Sequence, residues 1–157
     1  MAGRDYREQE STKLYLPMFG PLIRAFERYG YAFLRVSVGA IMIPHGLQKL
    51  LHGGADLLAT KTLAAWGLPA PFAWAWGLGI LEALGGALLV IGLLTRPIAL
   101  LFVVELLVIL FGVAWPNGYP WTRGGIQYPL LLLTLMLAVL ARGGGEHSLD
   151  RQLAKEF

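Results

Sequence analysis

Six polar or ionisable residues lie inside long apolar runs of this sequence. They are Arg35, His45, Lys49, Glu82, Glu105 and Gln127. A charge at membrane depth costs at least about 2.5 kcal/mol, so such residues usually face the interior of a helix bundle or a water-filled cavity. Two carboxyl groups beside a histidine and an arginine can hold or transfer protons. The sequence therefore predicts a proton-handling site inside a membrane protein.

Four apolar segments would carry these residues across a membrane. They cover roughly residues 29–51, 72–94, 97–115 and 125–141. Each has about 17–23 residues, which matches a hydrocarbon core of ~30 Å at 1.5 Å per helical residue. Only 15% of the residues are charged, against about 25% in a soluble domain. We predict an all-α integral membrane protein, a four-helix bundle made of four transmembrane helices.

The predicted membrane domain covers residues 29–142, between cytoplasmic tails at 1–28 and 143–157. Apolar residues recur at helical spacing within residues 14–28, which favours a short interfacial helix on the inner leaflet. A second short helix is expected on the outer surface, within the loop at 52–71. A cleaved signal peptide is not expected, because the first apolar run is too long and no small-residue cleavage site follows it.

Basic residues predict the orientation of the chain. Most of them lie on one side if both termini are cytoplasmic, including Arg24, Arg28, Arg96 and Arg142. This is the positive-inside distribution of membrane proteins. The same distribution explains the net charge of +3, so no nucleic-acid partner is expected, whereas contact with membrane lipid is.

Depth and helical phase place the two glutamates with other ionisable groups. Glu82 and Glu105 each fall within roughly 2 Å of a span centre at 1.5 Å per residue. Arg35, His45 and Lys49 fall within roughly an 80° arc of the first span, at 100° per residue. We therefore expect Glu82 and Glu105 to face Arg35 and His45 across the core. In this arrangement the glutamates handle protons, while Arg35 and His45 tune or pair with them.

The same geometry predicts a pocket that opens toward the outer face. Lys49 and Gln127 are expected at its mouth, where they would contact a bound cofactor. Trp76 lies deep enough to line the pocket, although most tryptophans of this chain are typical of an interfacial belt. Lys49 has an alternative interpretation, in which its ammonium extends to the outer lipid headgroups.

Two interpretations of the polar residues compete with a reactive site. The first is a structural ion-pair core, in which Arg35 or His45 neutralises the glutamates and nothing reacts. The second is a metal site of His45, Glu82 and Glu105, which the sequence disfavours because di-iron bundles use Glu-x-x-His pairs that are absent here. The chain contains no cysteine. An iron–sulfur cluster or other covalent cofactor is therefore not expected, and any redox role needs a bound cofactor or a partner.

The chain resembles the DoxX family of small bacterial four-span membrane proteins, which is related to the DoxD subunit of thiosulfate:quinone oxidoreductase. The matching pieces are Leu-Arg at 34–35, His-Gly-Leu-Gln-Lys-Leu at 45–50, Gly-Leu-Pro-Ala-Pro at 67–71, Leu-Glu-Ala-Leu-Gly-Gly at 81–86, Ile-Gly-Leu-Leu-Thr-Arg at 91–96, and the glycine run followed by Ser-Leu-Asp at 148–150. Their order and spacing cover residues 30–151, nearly the whole predicted membrane part.

The resemblance implies a four-helix bundle in the bacterial inner membrane with a redox or quinone-associated role. Arg35, His45, Lys49, Glu82 and Arg96 fall on positions typical of the family. The family often carries a glutamate near the start of the fourth span, where this chain has Gln127. Either Glu105 supplies the missing carboxyl group, or the pocket has lost that chemistry.

Three functions follow from these observations. The first is quinone-linked redox chemistry in the polar pocket, beside a membrane or redox protein partner that carries the electrons. The second is a non-catalytic accessory subunit that packs against a larger membrane complex. The third is a small-molecule binder or carrier that uses the same pocket.

Overall fold

The computed structural model describes residues 17–153, and within that range the chain is all-helical, without strands. The α-helices are α1 (Gly20–Leu51), α2 (Gly54–Leu58), α3 (Pro71–Ile80), α4 (Gly86–Ile91), α5 (Thr95–Val108), α6 (Gln127–Arg142) and α7 (Leu149–Gln152). Wider π-helical turns cover Ala59–Leu63, Leu81–Gly85 and Ile109–Ala114. Short 3-10 turns cover Pro17–Phe19, Trp115–Asn117 and Trp121–Arg123.

Two helical stretches are long and apolar enough to cross a membrane. They are Pro71–Ile91, with 21 residues, and Thr95–Asn117, with 23 residues. Helix α6 is apolar but shorter, at 16 residues, and α1 is longer and carries more charge. The all-helical prediction is confirmed. The predicted segments coincide closely with these helices, while four crossings stay a prediction.

The chain divides into two compact units, residues 1–30 and residues 31–157. The described part of the first unit places Met18, Leu22 and Phe26 on its surface, and the Arg28 guanidinium lies 5.4 Å from the centre of the Tyr29 ring. A separate short helix ending near residue 28 was expected. The structure instead assigns Gly20–Leu51 to a single helix, and the part of the expectation before residue 17 lies outside the described residues.

Within the second unit, an apolar core joins α1, α4, α5 and α6. Its fully buried members are Val38, Leu89, Ala99, Phe102, Met136 and Val139. Many large apolar side chains on the opposite faces of these helices are exposed, such as Leu101 at 50% and Leu131 at 56%. This distribution is typical of helices surrounded by lipid, where apolar residues can face outward as well as inward.

Glycines let α1 pack closely on the helical stretch Pro71–Ile91. A Cβ added to Gly46 would lie 2.2 Å from the backbone nitrogen of Ala83 and 2.6 Å from the carbonyl oxygen of Gly79. A Cβ added to Gly39 would lie 2.7 Å from the carbonyl oxygen of Gly86. Small residues at such crossings are typical of membrane helix pairs. The face of the second apolar segment that carries Gly79 and Gly86 is therefore a packing face.

A second, smaller cluster closes the end of this unit at which α2 lies. Ala55, Ala59 and Leu63 pack with Ala75 of α3, which confirms a short helix in the predicted loop. A Cβ added to Gly112 would lie 2.7 Å from the Trp66 ring. Trp66 therefore packs against the backbone of the Ile109–Ala114 turn, and the segment from α2 to Trp66 covers this end of the unit.

Candidate functional site

An ion pair between Lys49 and Glu82 lies at the centre of the polar residues. The Lys49 ammonium donates a hydrogen bond to Oε2 of Glu82. Glu82 belongs to the wide turn Leu81–Gly85, and only 3% of its side chain is exposed, against 21% for Lys49. Wide turns of this kind inside helices are frequent at functional sites. Lys49 was expected at the mouth of the pocket or among lipid headgroups, and the structure pairs it with a buried carboxylate instead.

The second glutamate lies beside this pair. Glu105 of α5 is 6% exposed and lies within electrostatic range of both Glu82 and Lys49. One of its oxygens, Oε2, is buried without a hydrogen-bond partner among the described residues. The predicted meeting of Glu82 and Glu105 is therefore observed. Their cationic partner is Lys49, not the predicted Arg35 or His45.

A histidine and a tyrosine form the exposed edge of this group. Nε2 of His45 and the hydroxyl of Tyr128 share a hydrogen bond of 3.0 Å, and their rings are 6.0 Å apart. The Tyr128 hydroxyl also lies within electrostatic range of Glu82. We call Lys49, Glu82, Glu105, His45 and Tyr128 the polar cluster. It joins α1, the Leu81–Gly85 turn, α5 and the start of α6.

The polar cluster brings two buried carboxyl groups close to a single ammonium group. Lys49 can balance one negative charge and not two. Two carboxyl groups that lie close together in a buried site are an arrangement found in acid–base catalysis. The cluster therefore has the groups needed to accept and release a proton.

Arg35 lies away from the polar cluster, contrary to its predicted place opposite the glutamates. It is 1% exposed, and its Nη2 donates a 2.7 Å hydrogen bond to the carbonyl oxygen of His147. Of the three residues predicted on one helix face, Arg35 is buried, whereas His45 and Lys49 are half-buried. However, ten residues of helix separate Arg35 from His45, about 15 Å along the axis, and a nearer acceptor exists at the C-terminal segment.

Gln127 and Trp76 are also outside the buried part of the cluster. Trp76 is 45% exposed on α3. Gln127 is exposed, and its Oε1 accepts a 3.4 Å hydrogen bond from the backbone amide of Trp121. The contacts of Gln127 therefore support the loop before α6. The sequence analysis did not predict Tyr128, the neighbour of Gln127, as a site residue. Its position at the start of an apolar run, beside a predicted site residue, could have indicated it.

One protein family matches this chain. The family model DoxX matches residues 30–115, more than half of the chain. The match includes His45, Lys49, Glu82 and Glu105, whereas Tyr128 lies after it.

Two curated relatives extend the similarity over most of the chain. An uncharacterized membrane protein of Mycobacterium tuberculosis is 28% identical over 132 residues, which cover 78% of this chain and 80% of that protein. An uncharacterized protein of Haemophilus influenzae is 30% identical over 144 residues, which cover 85% of this chain and 98% of that protein. No solved structure matches the chain.

Proposed function

The chain belongs to the DoxX family of membrane proteins, and from this we propose that its polar cluster handles protons in quinone-linked redox chemistry. The observation that carries the proposal is the buried carboxyl pair: Glu82 is held by Lys49, and Glu105 keeps one oxygen unpaired. A buried acceptor without a partner costs free energy unless a ligand, a water or a proton completes it. An unpaired carboxyl oxygen beside a second buried carboxyl group fits a site that exchanges protons.

A quinone is the class of ligand that suits this edge of the cluster. Its reduction to the quinol takes two electrons and two protons, and its carbonyl oxygens accept hydrogen bonds. The Tyr128 hydroxyl and the His45 imidazole are the partly exposed groups able to donate them. Glu105 would deliver one proton, and the second would come from water through His45.

The electrons must come from outside this chain. Without cysteine the sequence supplies no thiolate ligand for an iron–sulfur cluster, so we propose a membrane or redox protein partner as the electron donor. In the balanced reaction, the partner loses two electrons, and the quinone gains two electrons and two protons. The chain contributes position, hydrogen bonds and a proton.

For the fold and location, we propose four membrane crossings in a bacterial inner membrane with both termini cytoplasmic. The support is the distribution of basic residues together with two helical stretches of sufficient length. This orientation would place Trp66, Trp115 and Trp121 near the outer surface, where amphipathic rings are favoured.

A different function, a non-catalytic subunit of a larger membrane complex, is favoured by a specific observation. The Lys49–Glu82 pair alone neutralises a buried carboxylate, so the cluster could serve only to hold helices together. The close glycine crossings of α1 also suit a packing role. A carrier that binds the quinone without redox change is the third possibility.

Purification in mild detergent, followed by mass spectrometry of retained proteins and lipid-soluble molecules, tests these functions. We expect the parent protein to retain a quinone and to take up protons when that quinone is reduced. Glu105→Gln should retain the quinone but protonate it more slowly after reduction, because the amide has no proton to release and both protons must then come from water. The matched control is Glu146→Gln, which changes an exposed carboxylate elsewhere.

The outcomes separate the alternatives. A stoichiometric protein complex without a quinone, unchanged by Glu105→Gln, would contradict the redox proposal and favour the accessory subunit. A retained quinone that is protonated after reduction as fast in Glu105→Gln as in the parent would favour the carrier.

A further inference from the structure

The end of the second unit opposite α2 contains a buried polar group that the proposed function does not use. Here the carboxylate of Asp150 accepts hydrogen bonds from the backbone amides of Leu94 at 2.8 Å and Thr95 at 2.9 Å. Asp150 is 4% exposed, and its own amide donates a 2.9 Å bond to the carbonyl oxygen of Gly92. The carboxylate thus caps α5 from a position 55 residues later in the chain.

The first turn of α5 is open to such a cap. Leu94, the residue before the helix, has a left-handed backbone with φ of 51°, and its own side chain does not cap the helix. The first amides of a helix lack partners within the helix and carry partial positive charge, so they favour an anionic acceptor. The Asp150 carboxylate is that acceptor.

Arg35 adds a buried cation to the same place. Its guanidinium lies against Gly92, where an added Cβ would fall 1.5 Å from Nη1. Nη2 is bonded to the carbonyl oxygen of His147, and Asp150 is within electrostatic range. Its other two nitrogens, Nε and Nη1, and the hydroxyl of Thr95 are buried without hydrogen-bond partners among the described residues.

The C-terminal segment is attached at further points. The Tyr31 hydroxyl donates a hydrogen bond to the carbonyl oxygen of Gly143, and the Arg142 guanidinium lies 4.4 Å from the centre of the Tyr31 ring. Ser148 caps the short helix α7 by accepting from the amide of Arg151. Glycines with positive φ at 143 and 145 let the chain turn back toward the helix ends.

We propose that Gly92, Arg35 and the first amides of α5 form a carboxylate-binding site whose ligand is the chain's own Asp150, and that residues 143–153 act as a releasable clasp. Opening the clasp should cost little free energy, because Arg35 and Thr95 are incompletely hydrogen-bonded in the closed state. Once the clasp opens, water can form the missing hydrogen bonds. This assigns Arg35 to positioning the clasp. The proposal is independent of the function of the polar cluster.

Cysteine reactivity tests the clasp, since the chain has no cysteine of its own. Thr95→Cys is a suitable reporter because Thr95 is 1% exposed and its hydroxyl makes no hydrogen bond that the change would break. In purified protein we expect slow reaction with a small hydrophilic maleimide. Adding Asp150→Ala should raise the rate at least tenfold, and Glu146→Gln, an exposed carboxylate of the same segment, should leave it unchanged.

The effect of formate on the labelling rate is a second measurement, which a change in packing alone would not alter. Asp150→Ala lacks one carboxylate group, so added formate should bind the α5 amides and slow the labelling of Cys at position 95, whereas chloride at equal ionic strength should not. Gly92→Ala should also raise the labelling rate, because the added Cβ would displace the Arg35 guanidinium from its place beside the clasp.

Several results would overturn the proposal. One is fast labelling of Thr95→Cys in the otherwise unchanged protein, and another is slow labelling that persists in Asp150→Ala. Acceleration without a formate effect would also overturn the carboxylate assignment. A reporter at the far end, Leu63→Cys, must stay protected in Asp150→Ala. Its exposure would mean that Asp150 holds the whole unit together and that the clasp is not a local device.

Discussion

At the residue scale, the Lys49–Glu82 ion pair should stabilise the fold, because the Glu82 side chain is almost fully buried and needs a cationic partner. Removing one member of a fully buried pair costs about 3–5 kcal/mol. Lys49 keeps 21% of its side chain exposed, so we expect Glu82→Gln to lower the free energy of unfolding by a smaller amount, about 2 kcal/mol. Denaturant or thermal unfolding in detergent measures the loss.

The matched variant is the double change Lys49→Met with Glu82→Gln. It removes both charges and should recover part of the stability that Glu82→Gln loses, because no uncompensated charge remains. If the double variant loses the sum of the two single effects, the pair contributes no coupling and the ion-pair interpretation of this contact is wrong.

Tyr128 should matter for binding more than for stability. Tyr128→Phe removes only the hydroxyl that bonds to His45, and a single partly exposed hydrogen bond contributes about 1 kcal/mol or less. We therefore expect a nearly unchanged melting temperature but weaker retention of quinone in the purified protein. Tyr119→Phe, which alters an exposed tyrosine outside the cluster, is the control. Equal quinone retention by the two variants would remove Tyr128 from the site.

The residues also show how far a sequence can locate a site. Helical phase put Arg35, His45 and Lys49 on one face, yet phase says nothing about which acceptor lies nearest at each depth. Arg35 bonds to a backbone carbonyl of a late segment, and backbone acceptors leave no trace in residue types. Counting residues along the helix predicted Lys49 too far from Glu82. The count ignores the length of the lysine side chain, which reaches across a helix turn.

At the element scale, the crossing of α1 on the second apolar segment should be sensitive to a single methyl group. Gly46→Ala would bring a Cβ within 2.2 Å of the Ala83 nitrogen, so the helices must separate. Overpacking of this kind costs about 1–3 kcal/mol, which unfolding in detergent would detect. The separation should also weaken the Lys49–Glu82 contact, since Lys49 lies one turn beyond Gly46.

Gly77 provides the matched control for this change. It lies in α3, and a Cβ added there meets nothing within 4 Å. Because alanine is the better helix former by about 0.5–1 kcal/mol, Gly77→Ala should be neutral or slightly stabilising. Similar losses for the two alanine variants would mean that the crossing at Gly46 is looser than the structure indicates.

The elements themselves were largely predictable. Apolar runs of sufficient length gave the main helices to within a few residues, and turn residues such as Gly67 and Pro71 marked the breaks. The wide turns at Ala59–Leu63, Leu81–Gly85 and Ile109–Ala114 were not predicted, because they depend on how neighbouring helices pack and not on local residue preference. The start of α1 was also misjudged, since no residue there forces a break.

At the scale of the whole molecule, the number of membrane crossings can be measured directly. Single cysteines at Lys61, Tyr119 and Glu146, all exposed, would be tested in intact bacterial cells with a membrane-impermeant maleimide. Four crossings predict that positions 61 and 119 react from outside and that position 146 reacts only after permeabilisation.

The alternative topology gives a different pattern. If only Pro71–Ile91 and Thr95–Asn117 cross, all three positions share one side and should react alike. That result would contradict four crossings and the proposed orientation of the termini.

One feature of the fold bears on how such chains can change in length. The Leu81–Gly85 turn holds one residue more than a regular α-turn would. Deleting one residue there would let the turn close as a regular α-turn, so Gly86 and Leu89 could keep their places while the direction of the Glu82 side chain changed. In a regular part of the same helix, a one-residue deletion would instead turn everything after it by about 100°. Packing should therefore tolerate a one-residue deletion at this turn better than elsewhere in the helix, and the polar cluster should lose the position of Glu82.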